Sequence, residues 1–258
     1  TLSAFAPKES DATRALDNVR LEFDQVENRV TLVARNPRES GFRFTWTEEE
    51  LVDLRFRISV PRQSHVDLRI IHGSAIVGNL AGRIAVRIEH GGLFLRNIDG
   101  SVRAQVDFGD VILSRCSGAV NARVLRGLIR VGPIGGRAEL SNATGDIEVM
   151  AVKHSIRAEA QVGDIRVGFA PGLAADSHVS ASGGSVIASI HSRAACRVDA
   201  AATWGRVNSQ LPLAVDSGAD GQRSLSGRLN GGGPLLHLRA SGGSITLEHG
   251  LLMTEEEG

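Results

Sequence analysis

The chain has 258 residues with 29 basic and 29 acidic side chains, so its net charge is zero and nothing steers it toward nucleic acid or an anionic membrane. Hydrophobic residues make up 42% of it, enough for a packed interior, yet no run approaches the ~20 apolar residues of a membrane-spanning helix. Thirty glycines against seven prolines favour many turns, and two cysteines, Cys116 and Cys196, are too few for a disulfide framework.

The start at Thr1 rather than methionine reads as a processed or trimmed chain. Residues 1–72 read as an antiparallel β cap. Residues 19–23 and 30–34 alternate as strands, with 24–29 as their hairpin loop. Residues 42–46 and 54–60 form a second pair around the acidic loop 47–50, and 66–70 lead into the first repeat glycine. Six of the ten aromatic residues lie in this quarter: Phe5, Phe23, Phe42, Phe44, Trp46 and Phe56. A cap is expected because a solenoid with an open end recruits other chains.

From Gly73 to Gly163 glycine returns every nine residues, with His154 in one slot. Most glycines open the same phrase, as in Gly109-Asp-Val-Ile-Leu and Gly145-Asp-Ile-Glu-Val. Phrases ending in a large apolar residue (Leu113, Val131, Val149, Val167) alternate with phrases mostly ending in alanine (Ala104, Ala122, Ala158). The unit is therefore an 18-residue turn made of two unlike nine-residue halves, and residues 73–167 predict a regular β-solenoid of about five turns. The column Leu80, Ile98, Cys116, Ile134, Val152 keeps that period and reads as stacked core. Cys116 then reads as a buried free thiol, with a bridge to Cys196 left open. Alternation sends Ile147 and Val149 inward and Asp146 and Glu148 outward.

Outward columns carry alternating charge: Phe94, Ile112, Arg130, Glu148, Arg166, and Ala85, Arg103, Asn121, Glu139, Arg157. Such ladders satisfy themselves, whereas a site for a polyanion would run one sign. Residues 168–250 read as irregular solenoid turns with longer loops, beginning with an insertion at 169–177, and 251–258 as an acidic tail.

The ordered phrases resemble a known family. They are Val60-Pro61, the Gly-Asp-Ile/Val turns at 109, 145 and 163, Pro171-Gly172 before Ser182-Gly183-Gly184-Ser185-Val186, and a close at Gly231-Gly232-Gly233-Pro234 followed by Ser241-Gly242-Gly243-Ser244-Ile245-Thr246-Leu247. Over roughly residues 15–250 the chain is similar to a bacterial adhesin-like family, a domain of unknown function built as a β-solenoid. The resemblance implies an exported or cell-envelope β-helical protein and no catalytic residues; a protein or cell-surface partner, or a second copy of the chain, is the expected partner of its rigid face. Adhesion itself rests on fold analogy.

Residues placed to carry chemistry are few. Asp110, Asp146 and Asp164 are placed as in calcium-binding β-rolls, but with one aspartate per turn they read as turn residues accepting backbone amide protons. His72 and His90 can stack on adjacent turns, but position 108 is Phe and a zinc site needs three or four ligands. Neither a metal nor another cofactor is expected. A polysaccharide-cleaving enzyme would use two carboxylates about 5–9.5 Å apart; Asp146, Glu148 and Asp164 could come that close, as any outward acids on neighbouring turns do. No elbow, phosphate-loop or zinc-helix motif appears.

The reading is therefore a non-catalytic adhesin-like or scaffold module presenting a rigid face, with an extracytoplasmic sensory domain as the alternative. An end-to-end polymer fits less well with a capped chain. The candidate partner patch is Phe94 with Ile112, two apolar side chains on an otherwise charged outer column; the competing expectation is that the cap or the 169–177 loop covers them.

Overall fold

A computed structural model describes residues 1–5, 13, 16–35 and 53–250 of the chain. It is an all-β protein with two compact units, Thr1–Val60 and Pro61–Gly258.

In the first unit β1 (Leu2–Phe5) pairs antiparallel with β4 (Asp53–Phe56), and β2 (Arg20–Val26) with β3 (Arg29–Arg35). The hairpin of β2 and β3 is tighter than the expected 24–29 loop: the strands run on to Val26 and Arg29, and Glu27 turns the chain with φ of 50°. The expected pairing of 42–46 with 54–60 falls partly outside the described residues. Within them β4 is only four residues long and its partner is β1 at the start of the chain. The Arg55 guanidinium lies 4.5 Å from the centre of the Phe5 ring.

The second unit is the solenoid. One sheet of eleven strands holds β5 (Val66–His72), β7 (Ile84–His90), β9 (Val102–Phe108), β11 (Val120–Arg126), β13 (Ala138–Thr144), β15 (Ile156–Val162) and β17 (Ser177–Ala181), followed by β23 (Leu235–Ala240), β19 (Cys196–Ala202), β22 (Ser224–Leu229) and β21 (Ala214–Gly218). The facing sheet of nine holds β6 (Ala75–Gly78), β8 (Leu93–Arg96), β10 (Val111–Leu113), β12 (Ile129–Val131), β14 (Ile147–Val152), β16 (Ile165–Phe169) and β18 (Val186–Ile190), followed by β24 (Ile245–His249) and β20 (Val207–Ser209). From β5 to β16 each strand pairs in parallel with the one a turn later, mostly in an eighteen-residue register such as Val111 with Ile129. The coil begins before Gly73, so the division expected at residue 72 moves. Val66, Leu68 and Ile70 already pack inward against the core, and β5 pairs with β7 in the same register.

Alternation makes the core. Ile84, Ile129, Ile134, Ile147 and Ile165 are fully buried, and Val131, Val149 and Val167 nearly so. Each such aliphatic side chain contributes roughly 1.5–3 kcal/mol by leaving water. The column from Leu80 to Val152 is buried as expected, and parallel bridges join Ile98, Cys116, Ile134 and Val152 in series. Glycine is required at the corner after the long strand because successive turns touch there. At Gly109, with φ of 141°, a Cβ would overlap the carbonyl oxygen of Gly91. At the opposite corner Gly82 and Gly100 have positive φ, Gly118 and Gly136 do not, and the following slot takes His154 without strain.

The end of the chain departs from sequence order. The last turn, β23 and β24, is inserted between the turn of β17 and β18 and that of β19 and β20. The β21–β22 hairpin then pairs antiparallel along the outer edge of β19. The edge of β20 is closed by its own loop: the Val207 N–H donates to the Gln222 carbonyl at 2.7 Å, the Gly221 N–H to the Val207 carbonyl at 2.8 Å, and the Ser209 N–H to the Asp220 carboxylate at 2.6 Å.

Candidate interaction surface

The outer column of the nine-stranded sheet runs Ile76, Phe94, Ile112, Arg130, Glu148, Arg166, Ile187, Thr246 and Asn208, each opposite the next. Phe94 and Ile112 are neighbours, as their spacing requires, and both are half-buried. Ile76 extends the pair to three turns and is 71% exposed. The sequence carried that signal, since Ile76 lies eighteen residues before Phe94. The Phe94 ring leans over Gly92, where a Cβ would fall 2.9 Å from its Cε2. The 169–177 loop is not the cover. It follows β16, four strands away from β8, and is pinned there by the Ala170 N–H to Val152 and the Ala175 N–H to His154, with Leu173 buried.

Further along the same column the charges satisfy one another. Arg130 Nε donates to Glu148 at 2.7 Å, and Arg166 lies 3.7 Å from the same carboxylate. The column through Glu139 behaves differently from its expected alternation. Glu139 meets Asn121 and Arg137, while Arg157 turns along its own strand to Glu159.

The turn aspartates are occupied by backbone. Asp110 accepts the N–H of Leu128, Asp146 that of Asp164, and Asp164 that of Ser185, each at 2.8 Å. Ser74 and Ser244 take the same role toward Gly92 and Arg206. These bonds stitch one turn to the next. His72 and His90 do stack, with ring centres 5.0 Å apart, and Phe108 takes the third place at 4.9 Å with the Arg126 guanidinium 5.5 Å from its centre. Among the described residues no group of three or more His, Cys, Asp or Glu converges as metal ligands would. No described helix is long and apolar enough to cross a membrane.

Both cysteines are free and buried. Burial pushes the Cys196 thiol up to about 11 and raises Cys116 as well. On the outer face near the end of the coil His178 stacks on His237 at 4.9 Å, and Asp199 takes Arg239 at 2.8 Å and His237 at 3.2 Å. Arg239, by hydrogen bond and charge, holds the Asp199 carboxyl below its ordinary range; burial, then the neighbouring His237, holds His178 below its own.

Compared with protein-family models, with curated proteins and with solved structures, the chain has no match in any of the three.

Proposed function

We propose that this chain is a non-catalytic, adhesin-like β-solenoid of a bacterial envelope, whose early turns hold a protein partner through the outer strip Ile76, Phe94 and Ile112. The observation that supports the reading is the strip itself: three apolar side chains follow one another on a column whose next three positions are charged. A rigid sheet holds them at the inter-strand pitch of about 4.8 Å, so binding them orders little that is not already ordered. Three side chains cover far less than the ~800 Å² per partner of a stable interface, so the strip is the anchor of a wider contact. The turn aspartates already spend an oxygen each on backbone amides, which supports a stitching role for them over a chemical one.

The test is to replace Ile76, Phe94 and Ile112 with serine, screen wild type and variant against envelope proteins, and size both by light scattering. The expected result is a wild-type partner lost in the variant at an unchanged melting temperature. A fall of several degrees with no change in association overturns the proposal, because the strip is then covered core. A wild type that dimerises while the variant does not replaces the foreign partner with a second copy.

A further inference from the structure

The outer face of the eleven-stranded sheet carries a row that changes sign only late. Asp67, Ala85, Arg103, Asn121 and Glu139 form one column. The column beside it runs Arg69, Arg87, Gln105, Arg123, Ser141, with no carboxylate until Glu159. Arg69 sits directly opposite Arg87, an arrangement that costs stability in a bare sheet. All four arginines of this face, Arg69, Arg87, Arg103 and Arg123, are exposed, and among the described residues none has a carboxylate within ion-pair distance. Most outward arginines of later strands are different: Arg130, Arg157, Arg166, Arg228 and Arg239 each meet an acid, while Arg197, opposite Arg228, donates to the Gly233 carbonyl.

The same asymmetry holds for whole turns. Residues 61–126 contain nine arginines and five acids, a net of +4; residues 127–250 contain ten arginines and Lys153 against ten acids, a net of +1. The neutral total of the chain conceals this.

We propose that the outer face of β5, β7, β9 and β11 binds a linear acidic polysaccharide, with Arg69, Arg87, Arg103 and Arg123 holding its carboxylate or sulfate groups. Arg69, Arg87 and Arg123 share one straight column that crosses the strands at the ~4.8 Å inter-strand pitch, with Arg103 beside it in the neighbouring column, so the face suits a polymer whose acidic groups recur along an extended chain. Guanidinium forks pair bidentately with carboxylate and sulfate. Gln105 and Asn121 lie among the arginines, and Glu89 and Asp107 lie on the corner side of the row without an ion-pair partner among the described residues. Those carboxylates would repel a polymer that is only anionic, but they accept hydrogen bonds from hydroxyl groups, which a sugar chain supplies between its acidic groups. Single-stranded nucleic acid is less well served, because the rings of His72, His90 and Phe108 stack on each other instead of offering open faces to bases.

The site is separate from the Ile76 strip and does not depend on that reading. The experiment titrates the full chain at low salt with polygalacturonate, heparin, dextran and an oligothymidylate of matching charge. The expected result is binding of the two acidic glycans, a loss of affinity as salt rises, and no binding of dextran. Changing Arg69→Gln, Arg87→Gln and Arg123→Gln together weakens that binding at least about tenfold, with the melting temperature unchanged or raised. Arg130→Gln and the serine variants of the strip leave it intact. The proposal is overturned if neither acidic glycan binds, if the triple variant binds as tightly as wild type, or if the oligothymidylate binds as tightly as the glycans.

Discussion

The early turns of the solenoid and the late ones share a backbone and differ in what they leave unsatisfied. From β12 onward most outward charges close on one another: Arg130 and Arg166 on Glu148, Arg157 on Glu159, Arg239 on Asp199, with Arg197 instead on the Gly233 carbonyl. The late end is also closed by chain, with a hairpin along β19 and a loop along β20. From β5 to β11 the same kinds of position carry arginines with no carboxylate partner among the described residues on one sheet and three apolar side chains on the other. A repeat fixes where side chains go; it does not require that they find partners within the chain. Where they do not, the outside is available for a partner.

If the two regions differ only on the outside, their shared core must be equally intolerant, and this gives the largest expected effect. Ile134 is fully buried between Cys116 and Val152. Ile134→Asp puts an unpaired carboxylate there and should cost about 3–5 kcal/mol or more, enough to unfold the coil. Ile76→Asp, at an exposed position of an early turn, should leave the circular-dichroism melt nearly unchanged. Comparable losses in both would mean that inside and outside are misassigned.

The next test addresses the late closure. Leu225 in β22 is 2% exposed and belongs to the hairpin that covers β19. Leu225→Ala should cost about 2–5 kcal/mol, measured by urea unfolding, and should raise self-association, because loosening the hairpin bares a strand edge. A loss of stability with no association would show that the edge is not what the hairpin protects.

Much of this was legible beforehand. The nine-residue glycine phrase gave the strand register, the alternation gave the core, and a one-aspartate-per-turn pattern gave the amide-accepting corners. The order of the last turns was not. Ser182-Gly183-Gly184-Ser185 and Ser241-Gly242-Gly243-Ser244 are nearly the same phrase and stack directly on each other, while Trp204-Gly205 lies between them in sequence and outside them in space. Sequence order favours adjacent neighbours, and only the likeness of those two phrases argues otherwise. The pairing of β1 with β4 joins Leu2 to Phe56 and Phe5 to Asp53, far apart in the chain, and nothing local specifies its register. Ile76 and the Arg69 column were readable from the period: Ile76 is one step of eighteen before Phe94, and Arg69, Arg87, Gln105 and Arg123 follow the same step two residues beyond the Ala85 column. Ile76 stays hidden when its column is started at Phe94, and the arginine row when only the Ala85 column of that sheet is followed.

A smaller effect follows from the closed cluster at the late end. Asp199 ionises more readily in the folded chain than its ordinary value of 3.8, because Arg239 holds it. As pH falls the unfolded chain therefore takes up that proton first, so its share of stability is present above about pH 4 and lost as pH falls through the lower folded value. His178 is likewise held below its ordinary 6.5, first by burial and then by His237. Its share is present above pH 6.5 and lost below it, so the melting temperature should fall in two steps on acidification. Asp199→Asn should remove the step at lower pH and leave the one that begins near 6.5. Cys196 acts at the other end of the scale. Its thiol is raised to about 11, so its share of stability is present below about pH 9 and lost as pH rises toward 11.

The smallest effect is also the one that separates the two regions by sign. Arg130 is paired with Glu148 at 2.7 Å on a surface where its side chain is 53% exposed. Arg130→Gln should therefore lower stability, but by no more than about 0.2–1 kcal/mol, and less at high salt. Arg87 faces Arg69 across the strands and has no carboxylate partner among the described residues. Arg87→Gln removes a repulsion instead of an attraction and should leave stability unchanged or raise it by a few tenths of a kcal/mol. Both differences are readable from paired chemical-denaturation curves at low and high salt. A loss at Arg87 as large as that at Arg130 would mean that the early arginines are held by the chain after all. With nothing left unsatisfied on that face, the contrast between the two ends of the coil would fall with it.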